Sequence, residues 1–141
     1  MKNYTKVKVY LRNNIVLEIS DEELTAIKLS EEYMYIEYLN DAGMHHRVGG
    51  PAREWHMGSE EWFIDGKIHR ERGPAITWST GSKWWAREGR WHRVDGPAVE
   101  KEDGTKEWWV HGKQHTQEEF NRWVRWVHNT ARHNKREIGE R

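Results

Sequence analysis

The chain has 141 residues, a formal net charge of zero, a charged fraction of 33% and only 35% hydrophobic residues. That length holds one domain, and so polar a chain is expected to fold through its ten tryptophans, each able to bury a large apolar area. The absence of cysteine excludes disulfides and thiolate metal sites, and the charge balance argues against bulk attraction to nucleic acid.

No apolar run reaches the roughly 20 residues of a membrane span. The opening MKNYTKVKVY lacks the apolar stretch of a secretory signal. A soluble cytoplasmic protein with an aromatic rather than aliphatic core is expected. In chain order, KVKVYLRNNIVLEI reads as two strands around Arg12-Asn13-Asn14. Ser20, three residues before Glu23, opens a short helix with a capping box. EYMYIEYLN is a further strand, placed as the second strand of a repeat would be.

From Gly43 the chain repeats itself at an offset of 23 residues without insertion or deletion. The copies are GMHHRVGGPAREWHMGSEEWFID, GKIHRERGPAITWSTGSKWWARE from Gly66 and GRWHRVDGPAVEKEDGTKEWWVH from Gly89, with GKQH from Gly112. The shared frame is G-x-x-H-R-x-x-G-P-A, five variable residues, then G-x-x-x-W. Each copy reads as a hairpin plus a link, with Asp103-Gly104 as the turn and Gly58 and Gly81 in equivalent places. The second glycine (Gly66, Gly89, Gly112) opens the link. If Asp103-Gly104 is a two-residue loop, Val99 faces Trp108, Lys101 faces Lys106, and Ile76 and Arg53 face Trp85 and Trp62. One buried face then carries Trp62, Trp85 and Trp108 with Ile76 and Val99.

After the last half-repeat, Thr116 and Glu119 form another capping box. Phe120, Trp123, Val124, Val127 and Ala131 follow at helical spacing. This amphipathic helix is expected to cap the array, because a repeat protein exposes raw ends. The fold expected is mainly β: a single-layer antiparallel meander of tandem hairpin repeats. Its parts are an N-terminal β/α segment (1–42), three and a half repeats (43–115) and a capping helix (116–141), in one continuous domain.

The 23-residue unit, with a turn glycine, an aromatic four residues later and G-x-x-H, resembles MORN repeats between Gly43 and His115. In this form Arg47, Arg70 and Arg93 replace the glycine usual after G-x-x-H. Such arrays look like those of small bacteriophage and giant-virus proteins, with a related antitoxin-like bacterial branch. The resemblance implies an elongated binding platform and no catalytic residues.

His46, His69, His92 and His115 invite a metal reading, but equivalent residues two strands apart are separated by roughly 10 Å, too far for one ion. Backbone hydrogen bonding is the expected role of His46, His69 and His92. Stacking on Trp62, Trp85 and Trp108 is the expected role of Arg47, Arg70 and Arg93. What every copy needs is folding and stacking, so function is sought where the copies differ. Glu71, Arg72, Trp78, Trp84, Trp91 and Trp109 are the candidate partner-binding residues. Arg132, His133, Lys135 and Arg136 make a mildly basic helix end.

No nucleophile elbow, P-loop or dinucleotide fingerprint is present, so no enzyme, cofactor or metal is expected. The reading is a binding protein of phage or antitoxin type that sterically blocks a host or toxin protein. The alternatives are a nucleotide or nucleic-acid binder using the arginine row, and a homo-oligomer formed through the N-terminal strands.

Overall fold

The computed structural model describes residues 3–137. Residues 1–2 of the N-terminal segment and 138–141 of the helical segment lie outside the described residues. β1 (Lys6–Leu11) and β2 (Val16–Ile19) form a hairpin, α1 (Asp21–Ser30) follows, and β3 (Tyr33–Leu39) returns beside β1. The repeats supply β4 (Arg53–Trp55), β5 (Glu60–Glu61), β6 (Phe63–Ile64), β7 (Lys67–Ile68), β8 (Ile76–Thr77) and β9 (Lys83–Trp84). They continue as β10 (Ala86–Arg87), β11 (Arg90–Trp91), β12 (Val99–Glu100), β13 (Lys106–Val110) and β14 (Lys113–His115), before α2 (Gln117–Glu137).

Ten strands form one antiparallel sheet in the order β14-β13-β12-β9-β8-β5-β4-β3-β1-β2, with β6–β7 and β10–β11 as separate hairpins. The chain is thus mainly β and meander-like, with a C-terminal helix, as the repeat predicts. Both helices begin where their capping boxes place them. Ser20 accepts from the Glu23 amide while Glu23 accepts from the Ser20 amide. Thr116 and Glu119 exchange the same two bonds. Thr116 occupies the place of the repeat arginine, so this one change turns a link into a helix start.

The register differs from the expectation by one residue. Val99 pairs with Glu107 and Glu100 with Lys106, Ile76 pairs with Trp84, and Arg53 with Glu61. The Lys101 amide donates to the Thr105 carbonyl, and the Gly104 amide donates to the Lys101 carbonyl. The loop therefore holds three residues and ends on Gly104 at φ 86°, a type I turn closed by a left-handed glycine. Because side chains alternate, a one-residue slip moves each of them to the other face. Ile76 and Val99 leave the face of Trp62, Trp85 and Trp108 and join that of Trp84.

The two-residue turn lies instead in the segment read as a link. Asp65-Gly66, Glu88-Gly89 and His111-Gly112 all have positive φ at both positions, the geometry whose twist suits a tight hairpin. Each repeat thus contains two hairpins.

The core also differs from the aromatic one expected. Val7, Val9, Ile36 and Tyr38 form the buried cluster, with Leu24 and Ile27 of α1 packed against it. In the repeats the fully buried side chains are Ala52, Ala75 and Ala98, while Trp62, Trp85 and Trp108 are half-buried. An alanine next to the Gly-Pro bend leaves room for the neighbouring strand to close over it, which no indole would.

Candidate binding surface of the repeat array

Each rung of the array is built by three neighbouring residues of the motif. The histidine turns back: Nδ1 of His46, His69 and His92 accepts from the amides of Asp65, Glu88 and His111, each at 3.0 Å. These amides belong to the tight turns just described. Beside each, the turn glycine donates to a carbonyl of the previous repeat: Gly66 to His45, Gly89 to Ile68 and Gly112 to Trp91. Two bonds therefore staple every turn to its predecessor. At His92 the imidazole serves as acceptor and not as N–H donor, which requires the neutral ring with its proton on Nε2; His46 Nδ1 also stands 2.9 Å from an Asp65 carboxylate oxygen.

That requirement has a sign. Burial, together with His111 and Arg87, holds the His92 pKa below its ordinary 6.5. The unfolded chain then binds more protons, so this contribution is fully present above pH 6.5 and is lost as pH falls through the folded value. Replacing His92 with alanine strands the His111 amide, and is expected to cost about 1–3 kcal/mol. Urea unfolding at neutral pH checks this.

The arginine that follows lies flat. The guanidinium carbon of Arg47 sits 4.0 Å from the Tyr38 ring centre, and those of Arg70 and Arg93 lie 3.8 Å from Trp62 and Trp85. The other side of the same guanidinium donates to the carbonyl of Pro51, Pro74 or Pro97 at 3.0–3.1 Å. Glycine before each proline is what lets the arginine lie there. A Cβ at Gly50 would stand 2.7 Å from Arg47 Nε, and one at Gly96 would stand 2.9 Å from Arg93 Cζ. Tyr38 is therefore the first rung of a ladder that continues through Trp62 and Trp85.

The rungs differ in how their charge is met. Arg47 pairs with Glu54 at 2.9 Å, and Arg93 pairs with Asp95 at 2.8 Å and Glu100 at 3.0 Å. The second copy has Thr77 where the others have Glu54 and Glu100, and among the described residues neither Arg70 nor Arg72 makes an ion pair. Successive loops leave clefts between them. One of about 360 Å³ is lined by Trp62, Ile64, Val48, Arg70, Glu71 and Arg72. Another of about 360 Å³ is lined by Trp85, Arg70, Glu71, Arg72, Val94 and Asp95 among others. Val48 and Val94 are exposed at 58% and 50%. Arg72 borders both clefts.

The opposite face carries a row that crosses the sheet through paired positions. It runs Lys8, Glu37, Arg53, Glu61, Ile76, Trp84, Val99, Glu107. Its first half is charged and its second mainly apolar. Glu37 is buried and takes bonds from Tyr10 at 2.8 Å, His45 at 2.9 Å and Arg53 at 3.0 Å; Arg53 also reaches Glu61 at 2.9 Å. Burial opposes ionisation of Glu37, but the bonds from His45, Tyr10 and Arg53 outweigh it and hold the carboxyl at about 2. Burial and the same carboxylate push the Tyr10 phenol up to about 12.

The candidate partner-binding residues do not converge. Glu71 and Arg72 border the clefts of the ladder face. Trp84 alternates with Trp85 along one strand and so points the other way. There it packs edge-on against Trp78, with ring centres 6.3 Å apart, and against Trp91 at 5.2 Å. The Trp109 indole N–H donates to Glu107 at 3.0 Å. None of these four tryptophans is exposed as expected; all are half-buried. For Trp84 the one-residue register slip is the reason, since it sets this residue between Ile76 and Val99. The exposed tryptophan is Trp126 of α2, at 64%.

Sequence reasoning passed over Tyr10, Glu37, His45, Arg53 and Glu61. Their only signal was that copy one carries charge where the later copies carry Ile76, Val99 and Trp84. Among the described residues no three metal-ligating side chains converge, and no helix is long and apolar enough to cross a membrane. Compared with protein-family models, curated proteins and solved structures, the chain finds no match.

Proposed function

We propose that this protein is a non-enzymatic binding platform that holds an extended acidic segment of a partner protein in the tandem clefts of its ladder face. The observation that carries this reading is the pair of clefts lined by Trp62 and Trp85 that share Arg70 and Arg72. Among the described residues neither arginine makes an ion pair, and the cleft carboxylates Glu71 and Asp95 pair with His69, Arg87 and Arg93 instead. A half-buried aromatic beside guanidinium free to take a carboxylate is the composition of an interface hot spot. The pitch adds a second argument. Two strands per repeat advance about 9.4–9.8 Å, and a polyproline II segment returns to the same face every three residues, about 9.3 Å. Such a segment would place one side chain per cleft at low ordering cost. Steric blocking of the partner, the inhibitor form of this reading, rests on the repeat resemblance alone.

The test uses a fluorescein-labelled Glu-Pro-Pro repeat peptide and the whole chain, followed by anisotropy. Binding weakened at least tenfold, about 1.4 kcal/mol, by Arg72→Glu and unchanged by Trp84→Phe is the expected result. Loss of binding through Trp84→Phe with no effect of Arg72→Glu would move the interface to the opposite face. No binding of the peptide would end the reading.

A further inference from the structure

Helix α2 carries a strongly basic surface. Between Phe120 and Arg136 lie Arg122, Arg125, Arg132, Lys135 and Arg136 with no acidic residue, although the chain as a whole is neutral. Glu118, one turn before Arg122, is the acidic residue that heads the same side of the helix. All five are exposed, and among the described residues none makes an ion pair. Elsewhere Arg47, Arg53, Arg87 and Arg93 each lie against a carboxylate.

Four of the five are gathered on one side of the helix. With 3.6 residues per turn, Arg122, Arg125, Arg132 and Arg136 share one face, spread over about 21 Å of axis. The other face holds Phe120, which is buried, and Trp123, Val124 and Val127, which are half-buried. The helix packs on β13 and β14. From Ala131 to Arg136 every side chain is exposed. Trp126, also exposed, follows Arg125 directly and stands one turn from Arg122.

We propose that this stripe binds single-stranded nucleic acid, with the four arginines on phosphates and Trp126 stacked on a base. A helix that lies in a membrane interface must offer its apolar face to lipid, and here that face is turned to the sheet. What faces outward is guanidinium and one indole, the combination that grips a flexible, unpaired strand. A duplex would offer the phosphates but keep its bases out of reach of Trp126. This inference uses none of the residues that line the clefts, and it stands or falls apart from them.

Anisotropy of a labelled oligothymidylate, titrated with the whole chain, tests it. Four phosphate contacts on a single strand give a salt slope of about −0.7 each, so affinity should fall roughly 50-fold between about 50 and 200 mM salt. Arg122→Gln, Arg125→Gln, Arg132→Gln and Arg136→Gln together should weaken binding more than tenfold and flatten the slope. Trp126→Ala should weaken it several-fold and leave the slope alone. Arg72→Glu should leave it within twofold, which separates this site from the clefts. All these positions are exposed, so unchanged circular dichroism melts are expected to accompany the losses. Absence of binding at low salt would overturn the proposal. So would binding indifferent to the fourfold variant, equal affinity for duplex with no effect of Trp126→Ala, or capture by phosphatidylserine vesicles without capture of the oligonucleotide.

Discussion

Replacing Tyr38 with alanine is expected to lower the unfolding free energy by about 3–5 kcal/mol, the range for deleting a buried aromatic. Tyr38 is 0% exposed and belongs to the cluster of Val7, Val9 and Ile36. The Tyr4 ring meets its edge at 4.8 Å, Arg47 stacks on its face at 4.0 Å, and its hydroxyl donates to Glu54 at 3.2 Å. One side chain thus joins the core under α1 to the first rung of the ladder. Its loss opens a cavity and frees Arg47 from the aromatic against which it lies. Tyr38→Phe removes only the hydroxyl bond and should cost on the order of 1 kcal/mol. Urea denaturation of both variants, followed by circular dichroism and tryptophan fluorescence, measures the difference. A Tyr38→Ala protein within about 1 kcal/mol of wild type would contradict the packing described.

Acid is expected to remove a second large contribution. The Glu37 carboxyl is held at about 2, against an ordinary 4.5. The unfolded chain therefore binds more protons between these values, and stability falls as pH falls. The contribution is fully present above pH 4.5 and lost as pH drops through about 2. Its size is on the order of 3 kcal/mol. Glu54, Asp95 and Glu107 are also held below their ordinary values, so acid loosens other parts of the sheet too. Comparison with Glu37→Gln isolates the single group. At pH 7 that variant should be about 2–3 kcal/mol less stable, because Arg53 and His45 lose their shared carboxylate. Near pH 3 the gap should narrow, as measured by urea midpoints across the range. A gap constant with pH would show that Glu37 is not held low.

The two ends of the chain were legible because their signals are local. Ser20 with Glu23 and Thr116 with Glu119 are capping boxes that act within one turn, and Phe120, Trp123, Val124 and Val127 state their face by spacing alone. The repeat period was equally plain. What failed was the turn. Glu102-Asp103-Gly104 suits a two-residue or a three-residue loop, and the choice decides which face every neighbouring side chain takes. The tight turn at Asp65-Gly66 was hidden for a different reason. Its counterparts are Glu88-Gly89 and His111-Gly112, and only the histidine reaching back from the repeat before shows that all three are one structure. The Glu37 cluster had no pattern to find, since Tyr10, His45 and Arg53 meet it only after three separate strand pairings or loops are in place.

The sequence by itself determined the period of 23 residues, the mainly β class, the helix starts and the grouping of histidine, arginine and glycine-proline into one unit. Each follows from chemistry within a few residues or from repetition of the same few. Only the tertiary structure decided that the histidine accepts rather than donates, that Arg93 is neutralised while Arg70 and Arg72 are not, and that Trp84 turns away from Trp85's ladder. These depend on which strand lies beside which and in what register. Charge and exposure are properties of the neighbours a side chain acquires, and those neighbours lie one repeat or more away along the chain.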